Sequence, residues 1–414
     1  MRYCFSAFVS SVCLFGAAVA QPLLLQNATI FTGGPEAELK TGSIVIEDET
    51  ITAVGAELRV PNGARIVDLK GAIVTPGLVV ANTTLGAVEV NAGANANDGS
   101  GAKSTLTSGV DLQYAINPQS SLLPVARSGG VTRAFVTPTS SGRDPSGLKF
   151  GGQSVSINTG GGLKVIDVSQ LGVTLNLSDK NIGRGALFVQ LKSAFADVRL
   201  YAKRASALNN GELNANDWTQ ADLNALVPIV RGEKPLIVSV DRASDILNII
   251  QLSKDEKIQI ILSRANEGWV VADQIAAADI PVILDPTDNL PQSFDRLASS
   301  FKNAVRLVDA GVKIAIIGPR AGHDARLLRY HAGIAVSHGL SRQAALEAIT
   351  INPARIWGQE NYGAIAVGQK ADIAIWSGDP FEPLTDLVAL YVNGEEQSLE
   401  NRQSILRDKY LSAD

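Results

Sequence analysis

Between residues 235 and 317 the chain repeats one pattern four times, and that repeat limits its fold more than any other feature. Residues 235–240, 258–262, 281–284 and 312–317 are short apolar runs without polar alternation. Such runs suit strands buried on both faces of a parallel sheet. Helix-period segments lie between them at 244–254, where Ile246, Ile249 and Ile250 share one stripe, at 266–278 and at 293–309. Strand centres about 22 to 32 residues apart have the spacing of consecutive βα units. The pattern predicts an α/β fold and favours a (β/α)8 TIM-like barrel over an open doubly wound sheet.

Both ends of the chain read differently. Short strands are expected at 23–31, 43–46, 50–54 and 65–68, separated by Gly, Pro and acidic turn residues, and again at 371–376 and 387–392, the last followed by an Asn393-Gly394 turn. Together they predict a small composite β-sandwich domain from 21–76 and 360–414, with the barrel at 77–359 inserted between its halves. Two more helices are expected at 326–338 and 341–350, the second capped by Ser341 and stopped by Asn352-Pro353. Gly-rich stretches at 86–101, 140–147 and 160–162 read as loops, since none has the spacing of a phosphate-binding loop.

Composition narrows the chemistry. With 36 Lys+Arg against 41 Asp+Glu and no basic block, the chain carries no electrostatic footprint for nucleic acid or an anionic membrane. Arg2, the apolar run 3–18 and Ala18-Val19-Ala20 read as a signal peptide over 1–20 with cleavage before Gln21, which predicts an exported, periplasmic or secreted protein without a membrane anchor. Both Cys, at 4 and 13, fall inside that segment, so the processed chain holds no disulfide. Only three His remain, at 323, 331 and 338.

The motifs at the two ends carry a resemblance. Asn27-Ala28-Thr29-Ile30, Gly42-Ser43-Ile44-Val45-Ile46-Glu47-Asp48 and Val74-Thr75-Pro76-Gly77-Leu78 resemble the opening of the amidohydrolase superfamily. Thr350-Ile351-Asn352-Pro353-Ala354, the run from Gly363 to Asp372 and Asp379-Pro380 are similar to its imidazolonepropionase-like branch. The resemblance implies a metal-dependent hydrolase barrel that acts on non-peptide carbon–nitrogen bonds and uses zinc or another divalent metal on its upper face. The family's ligands do not follow: where it places an Asp and a His-x-His pair the chain has Val80, Asn82 and Thr84. Later His positions hold Ser239 or Asp241 and Ser263 or Arg264, and the last-strand Asp falls in Gly318-Pro319-Arg320. An imidazole site cannot be built from amides, hydroxyls and a fixed guanidinium.

The expectation is therefore an amidohydrolase-family pseudoenzyme, serving as a non-catalytic subunit or binding module and requiring no cofactor. The alternative is a hydrolase with a non-standard site. The candidate pocket comprises Asn82, Thr84, Asp241, Arg264, Asp285, Asp288, His323 and Asp324. Asp241 and Arg264 are expected to pair within the vacated metal cavity. Asp285 and Asp288 read as a carboxylate pair or, more simply, as turn residues. His323-Asp324 reads as a general acid/base pair or as a solvated loop with Asp324 at a helix N-terminus, the second being favoured. His331 and His338 read as packed or surface helix residues. The partners implied are a further copy of the chain or an active amidohydrolase relative, together with a small-molecule ligand.

Overall fold

The computed structural model describes residues 21–33, 38–91, 93, 95–101, 104–140, 148–178, 182–208 and 218–411. The signal-peptide segment and most of the 140–147 loop lie outside them. No helix among the described residues is long and apolar enough to cross a membrane.

The first and last parts of the chain build one sheet. Its strands are β1 (Leu23–Phe31), β2 (Glu38–Glu47), β3 (Thr50–Gly55), β4 (Arg65–Asp68) and β5 (Ile73–Pro76). The barrel follows with β6 (Leu78–Thr83), β7 (Val131–Val136), β8 (Phe150–Gln153), β9 (Val155–Asn158), β10 (Ile166–Val168), β11 (Val173–Asn176), β12 (Leu236–Val240), β13 (Ile260–Arg264), β14 (Val282–Leu284) and β15 (Ile314–Ile316). The chain then returns to the first sheet as β16 (Ile373–Trp376), β17 (Leu387–Val392) and β18 (Glu395–Glu396). β16 pairs with β5, joining the two halves across nearly 300 residues.

The strands of this composite domain are hydrogen-bonded into one eight-stranded sheet that branches at β1, which pairs with both β4 and β5. Its edge β3 comes round to the segment before β16, where Thr50 bridges Lys370 and Ile51 N donates to Gln369 O. A core that includes Leu25, Ile30, Ile44, Val74 and Ile373 fills it. Asn393 and Gly394 both have positive φ, the conformation a two-residue hairpin requires. Gly77 has a packing reason: a Cβ there would lie 2.2 Å from Thr132 Cγ2, so only glycine lets the chain pass this close as it enters β6.

The barrel has eight staves, one of them reversed. β6 and β7 are parallel, as are β11 to β15 in sequence. Between β7 and β11 runs the bent strand β8–β9, whose first half pairs antiparallel with β11 and whose second half pairs antiparallel with β7. β15 meets β6 through Arg320, whose carbonyl accepts from Thr84 N at 2.9 Å and from the Thr83 and Thr84 hydroxyls at 3.1 and 3.2 Å. The interior is filled by Val79, Ala81, Phe135, Ile237, Ile261, Ile283 and Ala315, and the bottom is plugged by Trp357 and Tyr362.

Two helices depart from expectation. Only Asn303–Asp309 of the 293–309 segment is helical. Residues 293–302 instead hold Arg296 against the strand ends, while Ala298 N donates to Glu267 Oε1 and Ala298 O accepts from Trp269 Nε1. These long-range bonds outweigh the local periodicity. Ser341 caps the helix Arg342–Glu347 as expected, but Asn352-Pro353 does not stop helical structure, because Pro353 sits in the first turn of a new helix, Ile351–Ile356, where its missing N–H costs nothing.

Candidate functional site

The carboxyl ends of the barrel strands are where this architecture places its chemistry. A cavity of about 230 Å³ opens there, lined by Ser239, Ser263, Arg264, Asp285, Asp288 and Arg320, among others. A second chamber of about 110 Å³ adjoins it, sharing Asn176, Ser239 and Arg320 and reaching Asn82, Thr137 and Lys149. Each strand end contributes a side chain because alternate residues face the barrel axis.

Two hydrogen-bonded groups fill the mouth. In the first, Arg320 Nε donates to Asn82 Oδ1 at 2.6 Å, and its terminal nitrogen donates to Thr137 Oγ1 at 2.6 Å and Thr137 O at 2.9 Å. Thr137 Oγ1 donates in turn to Asn82 Oδ1 at 2.5 Å, and Asn82 Nδ2 donates to Ser263 Oγ at 3.3 Å. Burial and the neighbouring Arg264 charge push the Arg320 guanidinium down to about 10, so it remains a cation at neutral pH. Among the described residues it has no carboxylate partner.

In the second group, Asp241 accepts from Arg264 Nε at 3.1 Å and Arg296 Nε at 3.2 Å, while Arg296 also bridges to Asp288 at 2.7 Å. Arg264 (φ 75°) and Ala265 (φ 47°) are successive left-handed non-glycine residues at the end of β13. That geometry costs roughly 1–2 kcal/mol per residue. Bonds from Ala265 N to Val240 O and from Glu267 N to Asp241 O hold the turn.

Asp285 does both of the things open to it. It accepts from Thr287 N and Oγ1, as a turn residue does, and it also lies 3.0 Å from His331 Nδ1. Burial raises its pKa, but the bonds to His331 and Thr287 outweigh this and hold it below the ordinary carboxylate range. The resulting stabilisation is present above about pH 4 and is lost as pH falls through the lowered value. Asp285→Asn should cost about 1.5–3 kcal/mol at pH 5, with the difference from the parent chain shrinking below about pH 4 in urea titrations. A difference unchanged from pH 5 to pH 2 would remove the ionised carboxylate as the cause.

The remaining candidates lie elsewhere. Thr84 spends its hydroxyl on closing the barrel. His323 is 58% exposed and 3.5 Å from Asp324, in the first turn of the 3-10 segment Gly322–Leu327, away from the cavity lining. His338 stacks on Phe301 at 4.1 Å. Sequence reasoning did not reach Arg296 or Thr137, and it left His331 as a generic helix residue. The one signal for His331 was its place on the helix that follows the last barrel strand.

This donor set does not fit a divalent metal. The Asn82 oxygen is taken by Arg320 and Thr137, both Asp241 oxygens by guanidinium groups, and Asp285 Oδ1 by His331 and Thr287. A metal ion placed between Asn82 and Ser263 would also face the fixed Arg320 charge. Among the described residues no three His, Cys, Asp or Glu converge on one point.

The architecture is that of a TIM-barrel-like metal-dependent hydrolase carrying a separate β domain. Residues 241–399 match the amidohydrolase family. An amidohydrolase structure from Thermotoga maritima superposes with a TM-score of 0.80 at 24% identity, covering 91% of this chain and 99% of that one. An amidohydrolase of Hapsidospora irregularis is 23% identical over 435 aligned positions, covering 91% of this chain, which spans only 43% of that protein's length. A 5'-deoxyadenosine deaminase of Methanosarcina acetivorans is 39% identical over 62 residues, 15% of this chain and 14% of that one.

Proposed function

We propose that this chain is an exported, non-catalytic member of the superfamily, a binding module or subunit whose metal site has been replaced by an internal guanidinium. The observation that carries this reading is Arg320 held on Asn82 and Thr137 among positions where the resemblance would put metal ligands. A cation supplied by the chain itself removes the need for an ion and also opposes one, since two positive centres in a poorly screened site repel strongly. The longer Hapsidospora relative supports a partner role, since there a region similar to this chain is joined to at least as much further sequence. Elemental analysis of dialysed protein tests the reading, with far less than one equivalent of zinc, iron or manganese expected. Stoichiometric metal that survives dialysis would overturn it. A stable complex with a His-rich relative on size-exclusion chromatography is the expected result for the subunit role.

A second reading keeps hydrolysis of non-peptide carbon–nitrogen bonds. The observation in its favour is the Asp285–His331 pair, since Asp285 lines the cavity and the imidazole packs against Gly318 in the same wall. Chelator-resistant turnover of an amide, lost in His331→Gln, would favour it over the first.

A further inference from the structure

We infer that the mouth of the barrel is a binding site for a small organic monocarboxylate, whose negative charge pairs with Arg320. This deepens the non-catalytic reading and rests on it. The charge inventory of the mouth carries the argument. Arg264 and Arg296 are matched by Asp241 and Asp288, and Asp285 accepts from Thr287 N and Oγ1 and lies 3.0 Å from His331 Nδ1. Of these arginines, Arg320 is paired, among the described residues, with neutral groups: the Asn82 amide and the Thr137 hydroxyl and carbonyl. A partly buried cation without a counter-ion is costly, and an oxyanion within reach of it would form short charge-assisted hydrogen bonds.

The surroundings set the ligand's size and kind. Arg320 stands where the 230 Å³ and 110 Å³ chambers meet, so its guanidinium is accessible from both. The larger chamber has the volume of about eight waters, enough for a carboxylate with a short polar or apolar tail. Ser239 lines both chambers, and its hydroxyl takes no hydrogen bond among the described residues. It is positioned as a second donor. Asp285 and Asp288 line the larger chamber, and their carboxylate oxygens are acceptors, so that wall offers no donor for the further anionic oxygens of a phosphate. This selects a carboxylate over a phosphate dianion.

Isothermal titration of the full, metal-free chain with N-acetylglycine, its neutral counterpart N-acetylglycinamide and inorganic phosphate tests the site. The acid is expected to bind at least about tenfold more tightly than the amide, the worth of one charge-assisted bond, and more tightly than phosphate at pH 8. Arg320→Gln should abolish the preference for the acid, and Arg320→Lys should restore part of it. Since Arg320→Gln also breaks the contacts to Asn82 and Thr137, Arg264→Gln provides a second reading: it leaves those contacts intact and should retain the preference for acid over amide. Equal binding of acid and amide, no binding of the acid, tighter binding of phosphate, or a preference that survives Arg320→Gln would each overturn the inference. Any of these results with metal-free protein leaves the non-catalytic reading standing. Stoichiometric metal in the same sample would instead overturn that reading.

Discussion

Asp372→Ala is expected to lower folding stability by about 3–5 kcal/mol, the cost of removing one partner of a buried ion pair. Asp372 and Arg133 are 2% and 3% exposed, with Arg133 Nε on Asp372 Oδ2 at 2.6 Å and a second bond to Oδ1 at 3.2 Å. Arg133 also holds Asp167 at 2.7 Å and lies over the Tyr362 ring at 4.9 Å. Burial works against its charge, yet the Asp372 and Asp167 carboxylates outweigh burial and hold the guanidinium above its ordinary pKa. Burial moves the Tyr362 hydroxyl well above its ordinary pKa as well, so that residue stays neutral. The pair ties barrel strand β7 to the composite sheet, because Asp372 also accepts from Asn393 N at 2.8 Å. Urea denaturation measures the loss. The double variant Arg133→Met/Asp372→Leu should lose less than the two single variants combined, since neither charge is stranded. A loss below about 1 kcal/mol for Asp372→Ala would mean that water reaches Arg133 in the folded chain.

Trp357→Ala is expected to cost a similar amount, about 3–5 kcal/mol. The indole is 4% exposed, stacks on Phe135 with ring centroids 5.0 Å apart, and donates from Nε1 to Ala81 O at 2.9 Å. It plugs the barrel from below, so the cavity left by alanine faces strands β6 and β7 and cannot close by side-chain rotation. Trp357→Phe should lose about 1–3 kcal/mol, chiefly the hydrogen bond to Ala81. The difference between the two variants in thermal or urea unfolding separates packing from hydrogen bonding, and equal losses would contradict this division.

Where local pattern decides an element, the sequence is enough. β1, β4 and β17 begin and end where their alternating residues and turn signals place them. The Asn393-Gly394 turn and the Ser341 cap are equally local, since each depends on a backbone preference of the residue itself. The resemblance to the amidohydrolase superfamily is legible because its motifs occupy these same locally determined strands and turns. Residues 293–302 read as helix and are not, because Arg296 and Ala298 make bonds to Asp241, Asp288 and Glu267 that no local pattern encodes.

The site divides in the same way. That the barrel lacks the expected imidazoles is readable residue by residue, and the Asp241–Arg264 pair follows from two adjacent strand ends. What stands in their place was not readable. Arg320 reaches Asn82 across 238 residues of chain, and His331 reaches Asp285 across 46. The sequence by itself placed the short strands at both ends and the buried strands of the βα units, because periodicity and turn chemistry act over a few neighbouring residues. Only the tertiary structure decided that one barrel stave runs backwards and that a guanidinium stands at the mouth, because both depend on which distant groups closure of the barrel brings within hydrogen-bonding distance.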